Sequence, residues 1–144
     1  GKPVVNINYN YSNAVPQGIT DVSALANFSD LQMKSYRVSA KNPYGATVYD
    51  VTYTLVHQYG GTYDDKGQYL STVSVIPSNI TVLWGYTLNY NVTKVTALNV
   101  GNSENPVGSV LMEMTMKVST IIKSSSTSRL YQFRGDKKTV IKTL

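Results

Sequence analysis

The chain has 144 residues, no cysteine and a formal net charge of +5. That length suits a single domain, residues 1–144, which buries about 70 % of its unfolded surface without help from a metal or crosslink. The missing thiols exclude a disulfide framework and thiolate chemistry, and the lack of any run of about 18 apolar residues excludes a transmembrane helix.

The residue mix favours strands. Twelve Tyr stand against two Phe and one Trp, in a background of Thr, Val, Ser and Asn that suits a pleated, half-buried surface. Val5, Ile7, Tyr9 and Tyr11 alternate with Asn6, Asn8, Asn10 and Ser12, which predicts a first strand with one polar face. Residues 13–30 break the alternation. There Thr20 or Asp21 is placed to cap at most one short helix near residues 20–28. A strand is expected over about 31–40, with a bulge where the facing switches between Ser35 and Tyr36. Asn42-Pro43-Tyr44-Gly45 then reads as a turn.

Val51, Tyr53, Leu55 and His57 share one face of the next predicted strand. Residues 59–67 read as a long hairpin loop, and Tyr69 to Ile76 as a strand stopped by Pro77-Ser78-Asn79. The alternation from Ile80 to Val100 puts Val82, Trp84, Tyr86, Leu88 and Tyr90 on one face and reverses parity after Lys94. Such length predicts a bend at Lys94, with the strand passing from one sheet to another. Gly101–Pro106 is a turn, and Met112, Met114 and Met116 form an apolar ladder suited to core packing. Residues 123–128 read as a polar loop, 129–133 as a short strand, 135–138 as a turn and 139–144 as a closing strand.

About eight strands joined mainly by short loops, with no βαβ pattern, predict an all-β, antiparallel two-sheet β-sandwich of immunoglobulin-like type. An up-and-down β-barrel is the alternative. The reversal at Lys94 and the long crossover at 13–30 favour the sandwich, because a simple meander needs neither.

The inventory for catalysis is thin. His57 is the sole histidine and Glu113 the one acid on the polar face of a strong strand, where Lys117 is its expected partner. A nucleophilic triad or a two-carboxylate cleft is hard to assemble from these groups, so no catalytic residue is assigned, and no metal or cofactor. Asp64-Asp65-Lys66-Gly67 lacks the oxygen spacing of a calcium loop. The expected function is therefore non-catalytic: an exported microbial surface module that contacts protein or glycan.

Tyr44, Tyr59, Tyr63 and Tyr69 are the candidate ligand-binding residues, since tyrosine is rigid, amphipathic and frequent in binding patches. A membrane- or polyanion-associated role is the second expectation. Residues 1–116 carry a net charge of −1, whereas Lys117, Lys123, Arg129, Arg134, Lys137, Lys138 and Lys142 against Asp136 give the last 28 residues +6. Such a segment suits an anionic surface, without specific nucleic-acid recognition. A hydrolase with an atypical site is the third. Arg134-Gly135-Asp136 resembles the integrin-recognition tripeptide on an expected hairpin tip. The composition, with an opening Gly1-Lys2-Pro3 that has no initiator methionine, points to an extracytoplasmic location: periplasmic, cell-surface or secreted.

Overall fold

The computed structural model describes residues 1–143. Its strands are β1 (Val4–Asn8), β2 (Ser12–Ala14), β3 (Gln32–Lys41), β4 (Thr47–Tyr63), β5 (Lys66–Val82), β6 (Thr87–Asn99), β7 (Gly108–Ser119), β8 (Ser124–Arg134) and β9 (Ile141–Lys142). They form a five-stranded sheet in the order β1-β6-β7-β8-β9 and a four-stranded sheet in the order β2-β5-β4-β3. Both sheets keep free edges, so the molecule is a sandwich and not a barrel. From β3 to β5 and from β6 to β9 consecutive strands are neighbours, a meander order unlike the interleaved order of immunoglobulin domains.

From β4 onward the alternating faces build the core as the sequence predicts, whereas the expected first strand is two, β1 in one sheet and β2 in the other, and Val5, Ile7 and Tyr11 stay exposed. Val51, Tyr53, Leu55, Leu70, Val73 and Val75 of one sheet meet Leu88, Tyr90, Val110, Met112, Met114 and Phe133 of the other. Three tyrosine hydroxyls find partners within this apolar layer, as buried polar groups must. Tyr90 Oη donates to the Val75 carbonyl at 2.7 Å, and the Tyr53 and Tyr131 hydroxyls pair at 2.8 Å. The short helix is a single 3-10 turn, Val22–Ala24, whose cap is Asp21: its carboxylate accepts from the Ser23 N–H.

Several local expectations are corrected. Residues 59–63 and 66–67 are strand, and only Asp64-Asp65 turn, both with positive φ (49° and 58°) as a tight two-residue hairpin demands. Pro77 does not end β5. It faces Tyr53 on one side, while β2 borders β5 only near Leu70 and Val73, so proline's missing N–H is tolerated on what is locally an edge. The apparent strand 80–100 is two strands, split by a turn at Leu83–Tyr86 around Gly85 (φ 89°). The irregularity expected at Lys94 is a register shift between Lys94 and Thr96, and β6 stays in one sheet. In β3 the register is regular past Ser35 and shifts at Ala40/Lys41. The serine-rich stretch is the start of β8, and the turn precedes it at 120–123.

One pair runs parallel. β1 lies beside β6 from Val4↔Thr87 to Asn8↔Asn91, an arrangement that short loops exclude for neighbours in sequence but not for strands this far apart. The chain between them builds the whole of the other sheet.

The registers define two ends. Tyr49 pairs with Val82 and Thr87 with Ser119, so the turns 42–46, 83–86 and 120–123 lie together at one end, called the upper end below. The 64–65 turn and the 100–107 connection lie at the other, the lower end.

Candidate functional site

The four candidate tyrosines do not form one cluster. Tyr44 sits in an upper-end turn, 95 % exposed, while Tyr59, Tyr63 and Tyr69 lie toward the lower end of β4 and β5. Tyr59 is half-buried against the core, its ring 5.9 Å from that of His57. Tyr69 faces Gly61 in the β4–β5 register, and it alone of the four borders a cleft of about 540 Å³.

That cleft is built by three segments: the end of β2 with the turn after it (Asn13 to Ile19), the end of β6 (Ala97 to Asn99) and Tyr69 with Pro106 and Gly108. Close backbone approach makes it. A Cβ on Gly108 would press on the Ala14 side chain and carbonyl, so glycine there lets β2 settle against β7. No lining residue carries a charge. Asn13 and Gln17 are exposed and offer carboxamides, which both donate and accept hydrogen bonds. The Asn99 amide is spent on its own loop, accepting from the Gly101 and Val107 N–H groups and donating to the Asn102 carbonyl. Ala14, Pro16, Ile19 and Leu98 supply apolar surface beside the Tyr69 ring.

His57 is not a strand-end residue. It is 1 % exposed, wedged between the Tyr59 and Phe133 rings, with Nε2 at 3.1 Å from the Lys137 carbonyl. Burial holds its imidazole below the ordinary value of 6.5, opposed by that hydrogen bond. With Nε2–H donating, Nδ1 is left as a buried acceptor without a partner. A smaller cleft of about 210 Å³ lies beside it, bordered by Lys34, Tyr36 and Lys138. Glu113 does not pair with Lys117; its carboxylate accepts from the Ser128 hydroxyl at 3.0 Å. The two side chains share the outer face of β7, but Ser128 stands nearer on the adjoining strand. Among the described residues no three or more His, Asp or Glu gather as metal ligands.

The seven C-terminal cations are spread along the sheet. Lys117 and Lys123 lie toward the upper end. Arg129 is midway along β8, with Lys142 on β9 beside Tyr131, and Arg134, Lys137 and Lys138 lie toward the lower end. Arg134 is also neutralised by Asp136. No single basic patch results.

The upper end carries exposed apolar residues that strand alternation in the sequence conceals. Trp84 is 66 % exposed, and Ile121 and Ile122 are 102 % and 83 % exposed. Trp84 continued the parity of a strand that is in fact interrupted, and the isoleucine pair fell between predicted elements. The signal available was two large β-branched residues side by side in a turn.

Comparison with family models, with curated proteins and with solved structures finds no match.

Proposed function

We propose that this chain is a non-catalytic, extracytoplasmic binding module whose lower-end cleft takes a neutral glycan segment. The uncharged, carboxamide-bearing cleft beside Tyr69 carries this reading. A sugar offers hydroxyls that both donate and accept, together with C–H faces that stack on an aromatic ring. Asn13, Gln17 and the Tyr69 ring match those two features, and the absence of charge suits an uncharged ligand over a phosphate or carboxylate. The sole histidine is enclosed, and Glu113 is occupied by Ser128. Both facts favour binding over hydrolysis. The Tyr/Thr/Asn-rich, cysteine-free composition supports the extracytoplasmic assignment.

A neutral-glycan array followed by calorimetry on the strongest hits tests the reading. The expected result is a millimolar-to-micromolar ligand whose affinity falls about tenfold in Tyr69→Ala, the loss typical of removing one stacked aromatic anchor, and does not change with salt. Binding that survives Tyr69→Ala intact, or an array without hits, overturns it.

A further inference from the structure

We infer that the upper end of the sandwich is a membrane-docking surface, with Trp84, Ile121, Ile122 and Tyr44 entering the lipid interface and Lys2, Lys41, Lys117 and Lys123 facing anionic headgroups. This inference concerns the end of the molecule opposite the Tyr69 cleft and does not depend on the glycan reading.

Each turn at this end is made by residues other than its exposed apolar one. In the 42–46 turn, the Asn42 carboxamide oxygen accepts from the Tyr44 and Ala46 N–H groups at 3.0 and 3.1 Å, and Gly45 takes φ 83°. Tyr44 contributes only backbone. In the 83–86 turn, Gly85 takes φ 89° and the Tyr86 N–H returns to the Leu83 carbonyl; the Trp84 indole is surplus to that geometry. In the 120–123 turn, Thr120 Oγ1 accepts from the Ile122 and Lys123 N–H groups, and the Thr120 N–H closes on the Lys123 carbonyl at 2.8 Å. Here too the isoleucine side chains do nothing for the turn. Such positions ordinarily favour Gly, Asn, Asp or Ser. Each of three separate turns has thus a residue that makes it and a large apolar residue that the fold leaves in water.

The three turns adjoin one another. The Leu83 N–H bonds the Val48 carbonyl, and a depression of about 400 Å³ joins Asn42 and Pro43 to Tyr86, Thr120 and Lys123. Large apolar residues left exposed together at one end of a fold mark an interaction site.

Charge selects the partner. Residues 1–4, 38–49, 80–88 and 117–126 contain the four lysines named above and no Asp or Glu. The nearest carboxylate, Asp50, is engaged by Arg37. Asp64, Asp65, Glu104 and Asp136 lie toward the opposite end. Projecting Trp, Tyr and Ile ringed by lysines match the two layers of an anionic bilayer: amphipathic rings suit the headgroup level, apolar side chains the acyl boundary, and lysines the negative surface potential.

Trp84 is the only tryptophan, so the intact protein reports on its own docking. Titration with vesicles containing about 30 % phosphatidylserine should shift its emission to the blue and cosediment the protein. Neutral phosphatidylcholine vesicles should bind about tenfold less, and raising salt from about 50 to 200 mM should weaken the anionic binding. The double variant Ile121→Ser/Ile122→Ser, which loses no core contact, should keep the melting temperature and lose about tenfold in vesicle partition. Absence of a shift with anionic vesicles, or unchanged binding by the double variant, overturns the inference. So does light scattering that shows a dimer abolished by the double variant without lipid, which would assign the tips to self-association. Glycan binding through Tyr69 is unaffected by either result, so the two readings fail separately.

Discussion

Arg134 folds back on Asp136 through two hydrogen bonds, Nε to Oδ1 at 2.9 Å and an amino nitrogen to Oδ2 at 2.8 Å. Each side chain holds the charge of the other, raising the guanidinium pKa and holding the carboxyl below the usual carboxylate range. Gly135 between them is buried, its N–H bonded to the Gly108 carbonyl and its carbonyl to the Gly60 N–H. The tripeptide that resembles an integrin ligand is thus knitted into the lower end. It does begin the turn that joins β8 to β9, but its glycine is buried and its two charged side chains pair with each other. Cell-adhesion assays on the immobilised protein should show no adhesion that soluble Arg-Gly-Asp peptide competes away; competable adhesion would contradict the arrangement.

Gly135→Ala tests the same junction from the side of stability. A Cβ there would collide with the Gln68 carbonyl, which is backbone and unable to swing aside. A loss of about 2–4 kcal/mol is expected by denaturant unfolding, in the range of overpacked or strained positions. Gly18→Ala is the control, because nothing stands near its Cβ, leaving only the strain of its positive φ.

His57 should make the stability pH-dependent as the pH falls through about 6.5, the ordinary imidazole value. Its folded pKa lies below the ordinary 6.5, so the unfolded chain binds the proton more readily. Stability is then full above about 6.5 and falls as the pH drops toward the folded value, by up to about 1.4 kcal/mol per pH unit. Unfolding curves across this range should show that slope in the native chain and a flat response in His57→Leu. A native chain that gains stability on acidification would refute the buried neutral imidazole.

The Tyr53–Tyr131 hydroxyl pair joins the two sheets, and burial pushes the Tyr131 phenol well above its usual value. Tyr53→Phe and Tyr131→Phe should each cost about 1–2 kcal/mol, since each leaves its partner hydroxyl unpaired in the core. The double variant should cost less than the two together. A double-mutant cycle with a coupling of about 1 kcal/mol measures the link, and strict additivity would deny it.

The methionines offer an internal contrast. Met114 is fully buried and Met33 is 67 % exposed on edge strand β3. Met114→Ala should cost about 2–5 kcal/mol, and Met33→Ala about 0.5 kcal/mol or less, by chemical denaturation under identical conditions.

Where local chemistry decides, the sequence was readable. The Met112/Met114/Met116 ladder faces the core because alternation fixes facing, Asp21 caps the one helical turn, and the break near Lys94 falls where parity reverses. What escaped reading is set by distant contacts. The 83–86 turn was invisible because Val82, Trp84, Tyr86 and Leu88 keep step across it. Pro77 continues its strand only because the pairing of β2 with β5 does not extend past Val73, and the serines of β8 pair because β7 supplies a ladder. The site followed the same rule. Tyr69 was legible as a candidate, but its cleft depends on residues 13–19 and 97–99 meeting it, and the upper-end tips were hidden while Trp84 counted as strand.

The parallel β1–β6 pair has a consequence for the order of assembly. Asn6 and Asn89, joined side chain to side chain at 2.8 Å, are 83 positions apart, whereas β4–β5, β6–β7 and β7–β8 close through short connections. Loop-closure entropy favours the near pairings first and delays the distant one. Strand β1 therefore waits longest, and Val5 and Ile7, which stay partly in water even when docked, add little force to pull it home. Refolding followed strand by strand should find the beginning of the chain arriving last.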